Sequence, residues 1–460
     1  MENKEFLGTE RIGKLLFKLA LPSVVAQLVN LLYNMVDRVY IGHMENVGSL
    51  ALTGVGVCMP VILLVSAFAA LVGMGGAPQV SIYMGKKDYK TAEKIMGNCF
   101  VFLIFISIVL TGFLYIFGED LLLIFGASEN TIGYAIDYMN IYVIGTIFVQ
   151  MALGMNMFIT CQGFTKISML SVVIGAVLNI ILDPILIFNF NMGVKGAALA
   201  TIISQAVSAV WVVSFLAGKK SGIRLKKENF KVDFRILLPC LALGVSPFIM
   251  QATESVINIC FNSSLLKYGG DVAVGAMTVL STVMQFSMLP LQGLTQGAQP
   301  ITSYNYGAGN PDRVKQSFKL LLISCFVYSM LLWSLVMIMP EKFVLMFNSD
   351  PELVSYGSWA MRIYFAVLGI FGIQIACQQT FIAIGNAKTS LFLAVFRKII
   401  LLIPLIYILP NFFADKAMAV YLAEPVADII AVITTSILFA RYFSKTLKKM
   451  KANEENIKTA

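Results

Sequence analysis

The chain has 460 residues, 58% hydrophobic and 13% charged, with a mean hydropathy of +0.81 and a formal net charge of +9. Soluble domains run nearer half apolar and a quarter charged, so a soluble fold of this size, a disordered chain, a coiled coil, collagen and a disulfide scaffold are excluded. With about 20 mainly apolar residues needed per crossing, the composition specifies an integral membrane protein with many spans.

The charged start MENKEFLGTERIGK leads directly into a full-length apolar run, so a retained first helix is expected rather than a cleaved leader. Apolar runs follow at 14–41, 50–82, 95–117, 132–161, 167–189 and 194–217, then at 236–266, 272–305, 314–339, 353–383, 389–410 and 417–443. Twelve membrane helices are predicted. The second and eighth runs exceed 30 residues and must tilt, bend or protrude. The charged stretch GKKSGIRLKKENFKVDFR separates the two sets of six. The expected division is an N-terminal lobe at 1–217, a linker at 218–235, a C-terminal lobe at 236–445 and a tail at 446–460.

Lys and Arg are distributed unevenly. The N-terminus, the even-to-odd loops and the tail carry 26 of the 34, while the opposite loops hold four: Lys195, Lys267, Lys342 and Lys416. Arg38, Arg362, Arg397 and Lys398 fall inside runs. Positive loops stay cytoplasmic, so both termini and the linker are predicted inside a plasma-membrane (cell inner membrane) protein. The positive charge is thereby accounted for by topology and anionic lipid, and no nucleic-acid partner is implied.

The halves repeat at a constant offset of 222. Leu19-Ala20-Leu21 recurs as Leu241-Ala242-Leu243, and Gly75, Pro78, Ser81 and Gly85 recur as Gly297, Pro300, Ser303 and Gly307. Six spans per repeat make the repeats parallel, with a site expected between the lobes. Intramembrane acids do not recur: Asp37, Asp183, Glu254 and Glu424 correspond to Ile259, Leu405, Leu32 and Ile202. The chemistry is therefore divided unequally between the halves.

Gln27, Asn30, Tyr33, Asn34 and Asp37 form one polar face on the first helix. Ser171, Gly175, Asn179 and Asp183 make a stripe at successive i+4 positions on the fifth, closed by Pro184, and Thr201, Ser204, Gln205 and Ser208 make a third on the sixth. Each intramembrane carboxylate costs roughly 2.5–3.5 kcal/mol on insertion scales, so it requires a partner, a proton or a cation. An Asp37–Arg38 bridge is disfavoured because i and i+1 side chains diverge on a helix. Coupling is assigned to Asp37 and Asp183. Glu254 fits a coupling or a structural role, Glu424 reads as structural or near a loop, and Asp137 and Asp428 read as solvated near span ends.

The seven cysteines are scattered without metal spacing and read as buried thiols. His43 is given no role. Gly73-Met74-Gly75-Gly76 lacks the strand and the following Lys of a phosphate loop and reads as close helix packing. Met35, Met151, Met284 and Met288 are candidates for an adaptable site lining.

LLYNMVDRVYIG in the first helix, QGFTK after the fourth, LNIILDPILIF in the fifth and GAALAT opening the sixth resemble the multidrug and toxic compound extrusion (MATE) family, in its DinF-like branch, over essentially the whole chain. The resemblance implies an all-α membrane protein of twelve helices in two parallel six-helix repeats. It also implies a monomeric antiporter without cofactors, exporting cationic or amphipathic compounds in exchange for H+ or Na+ as two lobes rock. By resemblance the cation site comprises Asp37, Asn179, Asp183 and Thr201, with Asn30, Tyr33 and Asn156 around it; Na+ or a proton suits this set. Glu254 stands where some members carry a seventh-helix carboxylate, but the tenth-helix acid that accompanies it has no counterpart in 363–383. A flippase for lipid-linked oligosaccharides is the alternative reading and favours a cationic cavity. An enzyme would need a nucleophile–base pair or a metal cluster, which the sequence does not offer.

Overall fold

The computed structural model describes residues 5–44, 47–347 and 349–459, with side chains through Asn456. The extreme ends of the expected first lobe and tail, 1–4 and 460, lie outside the described residues. Among those described there is no strand. In chain order the membrane helices are α1 (Ile12–Gly42), α2 (Gly48–Gly85), α3 (Tyr89–Ile124), α4 (Ile132–Ile144 with Thr146–Thr160), α5 (Thr165–Asn189) and α6 (Val194–Ala217). After the linker come α7 (234–269), α8 (271–307), α9 (Pro311–Ile338), α10 (Pro351–Tyr364 with Leu368–Ala383), α11 (Ala387–Asn411) and α12 (Lys416–Thr459).

Three breaks explain how these make twelve spans. α4 bends by 61° and α10 by 47° between their segments. The 74-residue helical run Phe234–Gly307 turns at Gly270, whose φ of +66° is accessible to glycine at little cost. That turn splits one long run into α7 and α8. Proline also sets local geometry: Pro184 precedes a π-helical segment, Ile185–Asn189, and Pro404 lies two residues beyond another, Phe396–Leu402. A proline removes one helical N–H, and the ladder widens to accommodate the freed carbonyl. The entry to α3 is capped by Asp88, which accepts from Thr91 N at 3.0 Å. Bonds from the Thr91 side chain and backbone hold the Asp88 carboxyl below the ordinary carboxylate range.

The apolar side chains divide into separate cores. One joins both halves and draws on Leu15, Leu19, Val80, Met96, Phe158, Leu237, Leu291 and Ile301. A second belongs to the N-terminal half, around Ile41, Val55, Tyr138 and Val194, and a third to the C-terminal half, around Phe261, Leu280, Phe365 and Tyr421. The halves are thus fused toward the end carrying the chain termini and have independent interiors toward the other. At the fused end the helices approach backbone to backbone: a Cβ on Gly244 would run into the Leu71 carbonyl, and one on Gly307 into that of Ile82.

The central linker is fastened down. Gln162 Oε1 accepts from Ile223 N at 3.0 Å and from Ser221 Oγ at 3.1 Å, and Glu93 accepts from Arg224 N at 3.2 Å and Lys226 Nζ at 2.7 Å. Phe230 rests on Phe100, with ring centroids 5.2 Å apart. Without a break, α12 continues through the expected tail as one helix to Thr459. All seven cysteines are buried free thiols.

Candidate functional site

Three helices of the N-terminal half bring their polar stripes together. On α5, the four-residue spacing of Ser171, Gly175, Asn179 and Asp183 keeps all four on one face, and Ser171, Asn179 and Asp183 are buried. Asn179 Nδ2 donates to Asp183 Oδ1 at 3.2 Å and to Thr201 Oγ1 of α6 at 3.4 Å. From α1, Asp37 brings its carboxyl to hydrogen-bonding range of Asp183. Arg38, one residue along, is exposed and forms no ion pair with Asp37 among the described residues.

This cluster holds unused acceptor capacity on adjoining groups. Asp37 Oδ1, Asp183 Oδ2 and Asn179 Oδ1 are buried and accept no hydrogen bond from the described residues. Buried polar atoms are normally partnered, and two carboxyls at such range cannot both be comfortable as bare anions. A proton shared between them, or a small cation held by these oxygens with Thr201 Oγ1, answers the deficit. Tyr138 of α4 was not anticipated; its hydroxyl lies beside Thr201 and near Asp37. The signal was weak, because a tyrosine within an apolar run reads as ordinary packing.

Next to the carboxyls is a narrow cleft lined by Asn30, Tyr33, Ser171, Thr201, Ser204 and Gln205 among others. Asn30 and Tyr33 therefore face the cleft beside the carboxyl pair. Asn156 does not join them. Its Nδ2 donates to Ser168 O at 3.3 Å, fifteen residues before Asp183 on α5, where Thr160 Oγ1 donates to Ser168 Oγ at 2.9 Å. It ties α4 to the opposite end of the stripe. Of the methionines, Met35 is exposed, Met151 is buried in the shared core, and Met284 and Met288 pack on the C-terminal core; none lines the cleft.

The C-terminal half corrects the sequence reading most. Arg397 and Lys398 of α11 are buried, and they organise the remaining acids. Arg397 binds Glu424 at 2.8 Å and Asp428 at 2.7 Å, both on α12, while its guanidinium stacks 4.5 Å from the Phe371 centroid. Lys398 binds Glu254 of α7 at 2.5 Å. Consecutive residues on a helix point in different directions, so α11 reaches α12 with one cation and α7 with the next. Asp428 is thus buried and paired, contrary to the solvated position expected, and the interior as a whole is not simply acidic. Asp137 is half-exposed and bridges to Lys195 at 3.3 Å. Adjacent cations inside an apolar run require anions within reach, and Glu424 and Asp428, four apart, were the visible partners. In the second segment of α10 the amides Gln374 and Gln378 are buried.

Comparison with known proteins follows from this architecture. The MatE family profile matches residues 22–185 and 247–408, one segment in each half. The chain belongs to the MatE family. It is 25% identical over 422 residues to the multidrug export protein MepA of Staphylococcus haemolyticus, covering 91% of this chain and 92% of that one. To MepA of Staphylococcus aureus strain NCTC 8325 it is 24% identical over 434 residues, covering 93% and 94%. A crystal structure of a MATE protein in the bent conformation superposes with a TM-score of 0.91 at 21% identity, covering 98% of this chain and 99% of that one. The chain is a multi-pass membrane protein with the twelve-helix MATE fold, in a family of transporters.

Proposed function

We propose that this MatE protein is a secondary antiporter that exports cationic or amphipathic small molecules in exchange for H+ or Na+. The relatives named as multidrug export proteins support the substrate class. The observation that carries the coupling is the set of orphaned oxygens on Asp37, Asn179 and Asp183, two of them on facing carboxyls. Asn179 and Thr201 orient the set; Asn30 and Tyr33 transmit its state to the cleft because they share α1 with Asp37.

The physical cycle is short. With both carboxyls ionised, α1 and α5 repel each other at this point, and the cleft presents negative charge to a lipophilic cation. A proton or Na+ entering from outside neutralises the pair, draws α1 toward α5 and alters the cleft wall, so the exported cation is released. The ligands need only prefer different arrangements of the two lobes, divided at the 218–235 linker, and each tenfold preference contributes about 1.4 kcal/mol to the exchange. With the termini cytoplasmic, the fused end seals the inside and the independent cores border an outward opening. Export of one positive charge from an inside-negative cell opposes about 2.3 kcal/mol per 100 mV, which the coupling ion's gradient must supply.

Efflux from vesicles with pH and Na+ gradients imposed separately tests this reading. Transport of lipophilic cations driven by one gradient supports it. Failure of both, with movement of lipid-linked anionic headgroups instead, would establish the flippase alternative.

A further inference from the structure

Along α12, every fourth residue from Ile429 onward is exposed: Ile429, Ile433, Ile437, Arg441, Lys445 and Lys449. Residues four apart form one ridge on a helix surface, so this ridge reads three branched apolar side chains and then three cations. Another ridge of the same helix does the opposite. Thr435, Phe439 and Phe443 are buried, and both phenylalanine rings meet Phe318 of α9, with centroids 4.4 and 5.1 Å away. One face of α12 is thus held by its neighbour while the other is open. Arg441, Lys445 and Lys449 pair with no carboxylate among the described residues, whereas Lys451, off this ridge, binds Asp312 of α9 at 3.3 Å.

That last bridge sets the depth of the ridge. Asp312 precedes Lys319, where the apolar run of α9 starts, by about 10 Å of helix. Counting back along α12 from Lys451 therefore puts Lys449 and Lys445 at the level of the headgroups. Arg441 falls at the edge of the hydrocarbon, from which its long stem carries the guanidinium outward. The three isoleucines lie at the depth of the acyl chains.

We propose that this ridge binds one anionic phospholipid of the leaflet on the side of the chain termini. Its phosphate is held among Arg441, Lys445 and Lys449, and an acyl chain lies along Ile437, Ile433 and Ile429. The order of residues matches the order of the ligand, charge at the headgroup and hydrocarbon below it. Like charges four residues apart on a helix repel one another, and a phosphate among them relieves the repulsion. Scattered lysines would serve to orient the chain; three cations in register, with no acid between them and an apolar track beneath, fit a lipid. Occupied, the ridge fastens the end of α12, and α9 packed on it, to the membrane surface. The inference goes beyond the transport reading and does not depend on it.

Native mass spectrometry of the full chain in detergent tests it, with phosphatidylglycerol or phosphatidylcholine of the same acyl chains added. Wild type should hold its first phosphatidylglycerol at least tenfold more tightly than its first phosphatidylcholine. Each basic residue near an anionic surface contributes about fivefold, so Arg441→Gln/Lys445→Gln/Lys449→Gln should bring the two lipids within about twofold of each other. Arg441→Lys/Lys445→Arg/Lys449→Arg should keep the preference. So should Lys219→Gln/Lys220→Gln/Lys227→Gln, which removes as much charge from exposed positions of the linker. A hundredfold excess of glycerol 3-phosphate should leave the lipid bound. The proposal is overturned by wild type without a preference, by an unchanged preference in the ridge variant, or by an equal loss in the linker variant. Displacement by glycerol 3-phosphate would overturn it too, because the site would then recognise phosphate alone.

Discussion

Replacing Arg397 with methionine removes one side chain and leaves two acids without their cation. The guanidinium is 9% exposed, and Glu424 and Asp428 are 5% and 4% exposed. Breaking a buried ion pair by deleting one partner costs about 3–5 kcal/mol, and the lost stacking on Phe371 adds up to about 2 kcal/mol. Taking about 3–5 kcal/mol as the net, after the acids relax, the melting temperature of a cooperative unit of roughly 200 residues should fall by about 6–20 °C. The protein contains its own reporter, since its seven thiols are buried: a thiol-reactive fluorophore in detergent solution lights up only on unfolding. The triple variant Arg397→Met/Glu424→Gln/Asp428→Asn should recover most of the loss, because removing the charges together leaves no bare ion. A single variant that melts within about 2 °C of wild type would refute the pairing, as would a triple variant less stable than the single one.

Three other outcomes follow. Gly244→Val, whose side chain would meet the Leu71 carbonyl, should hold the fused end apart, abolish efflux and admit thiol reagents to Cys99 and Cys240, which are buried in the shared core; thiol reactivity unchanged from wild type would contradict the close approach. Cysteines at the exposed positions Lys227 and Glu228 should escape impermeant reagents in intact cells and react in inverted vesicles, whereas Ser221→Cys, buried against Gln162, should stay unreactive in both. Asp88→Ala should cost about 1 kcal/mol at neutral pH by removing the α3 cap. Because the folded Asp88 carboxyl lies below its ordinary range, the cap's contribution is present above the unfolded value and fades as acid carries the pH through the folded one. Thermal scans of both proteins should therefore draw together as acid takes the pH below the ordinary carboxylate range.

The helices and the N-terminal stripes were legible because both follow from short-range rules: twenty apolar residues make a span, and residues three or four apart share a face. Asp183, Asn179 and Thr201 could be picked out by those rules, and Asp37 by its cost in the membrane. The C-terminal cluster was not legible in the same way. Arg397 meets Glu424 and Asp428 only because α11 and α12 pack antiparallel, and Lys398 meets Glu254 across 144 positions of sequence. Asn156, set beside the cation site by resemblance, is delivered by α4 to Ser168 at the other end of the α5 stripe, a placement no local spacing reveals. The linker's anchoring to Glu93 and Gln162 likewise depends on tertiary placement, which a charged sequence does not disclose.

The central claim is that ion coupling resides at the Asp37–Asp183 pair. It is tested most directly by gradient-driven efflux of rhodamine 123 from proteoliposomes containing wild type, Asp37→Asn, Asp183→Asn or Glu254→Gln at matched reconstitution and matched melting temperature. The account predicts that either N-terminal substitution abolishes the gradient-driven component while Glu254→Gln retains it. Full activity in both N-terminal variants together with a dead Glu254→Gln would contradict it and move coupling to the Lys398 side of the molecule.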